Sequence, residues 1–136
     1  MSGIEESRGT LMNLVRTFRS GAQAPASARR ALDDVDLTLA EEDRESVRLI
    51  VSELVTNAVL HGGCGSEAPV RLRIDRRPSS VRMEVVDEGE GFTPVPRVAA
   101  DRGERGRGLL IVERLAQRWG VDTGRGTTVW AELALS

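Results

Sequence analysis

Ser52-Glu53-Leu54-Val55-Thr56-Asn57-Ala58-Val59-Leu60-His61-Gly62 is an apolar helical run interrupted by Glu53, Asn57 and His61 at fixed spacing. Upstream, Val47, Ile50 and Val51 continue the same period, which predicts a helix from about Glu41 to Leu60. Acidic residues fill its first turn, where the helix dipole favours them, and Gly62-Gly63 stops it. The three polar residues recur every fourth position, so they share one face, about 6 Å apart along the axis. A solvated stripe is the ordinary source of such a triplet. Here, however, Glu53 has no arginine three or four residues away, and its neighbours Ile50, Val51, Leu54 and Val55 are all apolar. A carboxylate and an amide in such company need a partner. Magnesium, which takes hard oxygen ligands and keeps several waters, is one candidate. His61 suits a structural role at the helix end.

Outward from this helix, Pro25 fits the first turn of a shorter helix reaching about Asp36, after a turn at Gly21 to Pro25. Thr10 to Arg19 reads as a strand whose apolar residues fall on both parities, as in an edge strand with a second partner. Residues 1–9 are small and polar and are expected to be flexible. Downstream, Val70 to Asp75 and Val81 to Asp87 alternate as strands around an Arg76 to Ser80 hairpin turn. Glu88 to Arg107 is rich in Gly, Pro and charge and too long for a routine connector, and a lid is expected there. A helix from about Gly108 to Trp119, a short strand near Val121, a Gly124-Arg125-Gly126 turn and a strand from Thr127 to Leu135 complete the chain. These elements predict an α+β fold. It is a two-layer α/β sandwich, with a mixed, mostly antiparallel sheet and helices on one face, in one domain over residues 10–136.

Composition narrows the chemistry. The chain has 136 residues and 19 basic against 21 acidic groups, leaving no global basic field for nucleic acid. Every basic residue is arginine, which excludes a P-loop lysine and all lysine-nucleophile mechanisms. One cysteine (Cys64) and one histidine cannot form a disulfide framework or a Cys/His zinc site. No signal peptide and no run of about 18 apolar residues is visible, so the expected setting is cytoplasmic, away from membranes.

Other residues break the pattern on strands and loops. With a period of two, Val81, Met83, Val85 and Asp87 share a face, so Asp87 points inward. Gly89 and Gly91 follow, two positions without Cβ at which a ligand can lie against backbone; a turn-capping aspartate is the plainer reading. Gly103, Gly106 and Gly108 lead into a helix N-terminus, which offers free N–H groups and a positive dipole end to phosphate. Arg102, Arg105 and Arg107 add positive charge there. On the last strand Glu132 marks the outward parity, which sends Thr127 inward with Val129, Ala131 and Leu133, on the face of Asp87.

Taken in order, Glu53-Leu54-Val55-Thr56-Asn57-Ala58, Asp87-x-Gly89-x-Gly91, Gly106-Arg107-Gly108-Leu109 and Gly126-Thr127 resemble the four nucleotide-binding boxes of the GHKL (histidine kinase-like) ATPase superfamily, with its Bergerat-type ATP-binding fold. Within it, the length and the Ser52 to Gly62 run are most similar to the small anti-sigma factor serine/threonine kinases. The resemblance spans about residues 10 to 135. It implies ATP and Mg²⁺ as cofactors, with Asn57 as the Mg²⁺ ligand and Glu53 as the general base. It also implies that Asp87 accepts a hydrogen bond from the adenine amine, aided through water by Thr127. Gly89 and Gly91 would shape the purine pocket, and Arg105, Gly106, Arg107 and Gly108 would meet the phosphates. The implied partners are an anti-sigma factor antagonist, a sigma factor and a second copy of the chain. The implied function is a protein kinase acting on the antagonist; a nucleotide-gated binding module and a slow ATPase are the alternatives. His61 lies inside the first box, so a phospho-accepting histidine is not implied.

Overall fold

A computed structural model describes residues 10–61, 69–87, 106–123 and 126–136. The lid expected over Glu88 to Arg107 and the flexible N-terminus expected over residues 1–9 fall mainly outside these residues. Among the described residues, five strands and three helices follow one another: β1 (Met12–Arg19), α1 (Ala24–Asp33), α2 (Glu41–His61), β2 (Pro69–Arg76), β3 (Ser80–Asp87), α3 (Gly106–Leu115), β4 (Arg118–Thr123) and β5 (Thr127–Ala134). They form one sheet in the order β1-β2-β3-β5-β4. Every pairing is antiparallel, so the parallel component allowed by the sequence is absent among the described strands.

The core follows the alternation of the strands. β3 is buried at every second residue, at Val81, Met83, Val85 and Asp87, as its period predicts. Val70, Leu72 and Ile74 of β2 and Val129, Ala131 and Leu133 of β5 join them on the same face. Against that face α2 lays Val47, Ile50, Val51, Leu54, Val55 and Ala58, all buried. α1 adds Ala24, Ala28 and Leu32 at i, i+4, i+8, one stripe of a helix.

Two helices differ in their bounds from expectation. α1 stops at Asp33, not Asp36, because Asp34 N–H bonds to Arg30 O and Val35 N–H to Leu32 O, closing the last turn. The chain then bends so that Leu37 enters the core. Asp36 Oδ1 accepts from Thr38 N–H at 2.8 Å, and Thr38 takes φ of 58°, costly for a β-branched residue. Arg76 holds this bend by donating to Leu37 O at 3.1 Å and Thr38 O at 3.0 Å. α3 runs from Gly106 to Leu115, shifted from the expected Gly108 to Trp119. Trp119 instead pairs with Ala131 in β4, where it and Val121 alternate at the strand period of two. Gly120 between them lies so close to Trp130 that a Cβ there would meet the ring at 2.9 Å. No described helix is long and apolar enough to cross a membrane.

Candidate functional site

Asp87 ends β3 and Thr127 begins β5, and the two are direct partners in the antiparallel register. Residues so placed share a face with Cβ atoms about 5 Å apart. Asp87 is 5% exposed and Thr127 3%, so the inward parity read from the sequence holds for both. Among the described residues Thr127 Oγ1 makes no hydrogen bond although it is buried. A buried hydroxyl left open costs free energy unless a ligand or water meets it. A carboxylate beside a hydroxyl, both inside the sheet end, suits a flat polar ligand edge that donates to one and bonds to the other. The pair therefore fits an adenine amine.

α2 packs over β2, β3 and β5, on the side where this pair lies. Glu53 and Asn57 stand one turn apart on it, both half-buried, while Leu54, Val55 and Ala58 around them are buried. No described side chain hydrogen-bonds or ion-pairs with either of them. Ser52, by contrast, accepts a hydrogen bond from Arg29 Nη1 of α1 at 2.9 Å. That contact tethers the two helices beside Glu53. Sequence reasoning missed it, because a bond between separate helices leaves no periodic trace. His61 is the last residue of α2, the helix end expected of it.

α3 packs along α2, and Gly106, Arg107 and Gly108 form its first turn. The first turn of a helix has N–H groups without intrahelical partners, so it is a ready place for anionic oxygens. Gly89, Gly91 and Arg105 lie outside the described residues. Among the described residues, then, the structure brings four of the expected positions, Glu53, Asn57, Asp87 and Thr127, to one side of the sheet.

The opposite face of the sheet carries a feature the sequence understates. Glu132 does point outward, yet it is only 6% exposed, because arginines cover it. Arg82 Nη1 donates to it at 2.9 Å, Arg118 Nε at 3.1 Å, and Arg77 lies 3.8 Å away. Burial pushes the Glu132 carboxyl up, but hydrogen bonds and charge from Arg118 and Arg82 outweigh this and hold it below its usual range. The Arg82 guanidinium also stacks 4.4 Å above Trp130. This network is structural and lies away from Asp87.

Residues 18–133 match the histidine kinase-like ATPase domain family, and the chain belongs to it. Narrower similarities lie within that class. The chain is 32% identical over 127 residues to the anti-sigma F factor of Pasteuria penetrans, covering 82% of this chain and 83% of that one. It is 29% identical over 114 residues to the anti-sigma F factor of Clostridium botulinum (strain Eklund 17B), covering 75% and 77%. Among solved structures, the RsbU and RsbW domains of Rv1364c from Mycobacterium tuberculosis share the fold. The TM-score is 0.66 at 22% identity, over 91% of this chain and 32% of that longer one.

Proposed function

We propose that this protein is a cytoplasmic serine/threonine protein kinase that phosphorylates an anti-sigma factor antagonist and sequesters a sigma factor when the antagonist is absent. Family membership supports ATP as the nucleotide, and Mg·ATP supplies the transferable phosphoryl group when bound. Asp87 accepts a hydrogen bond from the adenine amine, and Thr127 supports that edge. Gly89 and Gly91 shape the purine pocket, and Arg105, Gly106, Arg107 and Gly108 meet the phosphates. Asn57 gives its amide oxygen to Mg²⁺, an ion that keeps most of its waters and needs few protein ligands. Glu53 takes the proton of the acceptor hydroxyl as that oxygen bonds to phosphorus and ADP departs.

The observation that carries this reading is Glu53 itself. It is a half-buried carboxylate without a described partner, one turn from Asn57 on an otherwise buried helix. A pure nucleotide-gated module has no use for a base at that position. Kinship with anti-sigma F factors supports the choice of a protein acceptor over water. The test is transfer of radiolabelled γ-phosphate to recombinant antagonist proteins from the same genome. Label on a serine or threonine of one of them is the expected result. Nucleotide binding with no label on any protein would leave a binding module, and phosphate released to water alone would leave an ATPase.

A further inference from the structure

We propose that the solvent face of α2 is a docking stripe for the phosphoryl-accepting protein, formed by Glu42, Glu45, Leu49 and Leu60 around Glu53. This inference rests on the kinase reading and names the surface that brings the acceptor to the base. At about 100° per residue, these five positions fall within an arc of about 80° on the helix. The buried residues Val47, Leu54 and Ala58 lie on the opposite side. Leu49 is 45% exposed and Leu60 66%, the two large apolar side chains that α2 leaves in water. Exposed leucines are unremarkable singly. These two flank Glu53 along one line, about 6 Å to one side and about 10 Å to the other. A surface seated on both leucines therefore covers the carboxylate between them.

Charge selects what that surface carries. Glu42 and Glu45 are exposed and extend the same line toward the N-terminus of α2. Arg44 and Arg48 stand close to them in sequence but turn to α1, where they meet Asp33 Oδ1 at 3.4 Å and 3.1 Å. Among the described residues no ion pair neutralises Glu42 or Glu45. The complementary occupant has an apolar patch bearing a serine or threonine hydroxyl, with basic side chains displaced toward Glu45 and Glu42. From Glu42 to Leu60 the stripe measures about 27 Å, the reach of a protein segment and not of a metabolite. A second copy of this chain fits poorly, since two-fold pairing of the stripes would press Glu42 and Glu45 against Leu60.

Two double variants test the stripe, Leu49→Gln/Leu60→Gln and Glu42→Arg/Glu45→Arg, assayed with the panel of recombinant antagonist proteins. Both are expected to raise KM for the protein acceptor about tenfold or more. Mg·ATP affinity and the melting midpoint should stay at wild-type values, because the altered side chains face solvent. The arginine variant should also flatten the salt dependence of capture. Wild-type KM in the leucine variant overturns the stripe. Binding of an antagonist by the wild type without labelling it defeats the kinase reading instead. The stripe is then judged by that binding, and survival of the complex in Leu49→Gln/Leu60→Gln overturns it too. No binding of any antagonist overturns both, and a dimer lost only in the leucine variant makes the stripe a self-interface and overturns the proposal.

Discussion

Asp87 and Thr127 meet at the ends of neighbouring strands, and the environment of each gives a different test. In Asp87→Asn an acceptor oxygen gives way to a donor, placed inside the sheet end where the side chain is almost fully buried. ATP affinity should fall by about tenfold to a hundredfold, or about 1–3 kcal/mol, as read by calorimetric titration. GTP, whose exocyclic groups are arranged differently, should bind poorly to the wild type. Equal affinity for both nucleotides would count against an adenine-reading pair. Glu53 separates binding from chemistry, because a base acts in the transition state and not on bound ATP. Glu53→Ala should keep Mg·ATP affinity within a few-fold and lower transfer to the antagonist by roughly 10²–10⁴. If the variant unfolds, Glu53 serves the fold. If transfer is unchanged, another group takes the proton. Asn57→Ala should weaken Mg·ATP binding and transfer together.

At the scale of elements, β5 joins the two faces of the sheet, and its outer side is held by charge where its inner side is held by apolar packing. Glu132 has a folded pKa below its unfolded value. Its contribution is therefore fully present above the ordinary carboxylate range and is lost as pH falls through the folded value. Thermal stability should decline on acidification below that range, and less steeply in Glu132→Gln. At neutral pH that variant should lose about 1–3 kcal/mol, less than a fully broken buried pair costs, since Arg118 is exposed enough to turn to water. Gly120→Ala should destabilise by a similar amount, about 1–3 kcal/mol, because the new methyl group displaces the Trp130 ring. A shift in tryptophan emission would report that displacement. These elements also mark what was legible in advance. β3 and α2 announce themselves because one strong period, two or 3.6, runs uninterrupted, and so the positions of Asp87, Glu53 and Asn57 could be read directly. The α3–β4 junction could not. Trp119 satisfies the helical period as its last apolar position and the strand period as its first. Only the pairing of Trp119 with Ala131, far along the chain, settles the choice. Glu132 was legible as outward but not as buried, since its cover comes from arginines on β3, on β4 and in the turn between β2 and β3.

At the scale of the whole molecule, the strand order leaves β1 on the edge of the sheet, eight residues long and without proline. A regular edge of this length presents unpaired backbone groups to any other strand, a hazard that proteins usually block with charge, bulges or cover. Here the apolar residues sit on both parities, as the sequence suggested. Leu14 faces the core at 4% exposure, while Val15, on the outer face, is 46% exposed and Leu11 is 60% exposed. We propose that a second copy of the chain covers this edge and that the protein is a dimer in solution. The eight-residue strand offers enough backbone for a ladder between copies, and Val15 stands at its middle, where a two-fold axis would set it beside the partner's own β1. Arg16 and Arg19 are the cationic residues of the strand, so a further positive charge at position 15 adds repulsion as well as removing an apolar contact. Val15→Arg should therefore raise the dimer dissociation constant at least about tenfold, seen as a shift toward monomer in sedimentation velocity. Its ATP affinity should stay at the wild-type value, because β2 lies between β1 and Asp87, and both β2 and β3 lie between β1 and Thr127. A wild type that sediments as a monomer at micromolar concentration would show that no second copy covers β1 and would overturn the dimer.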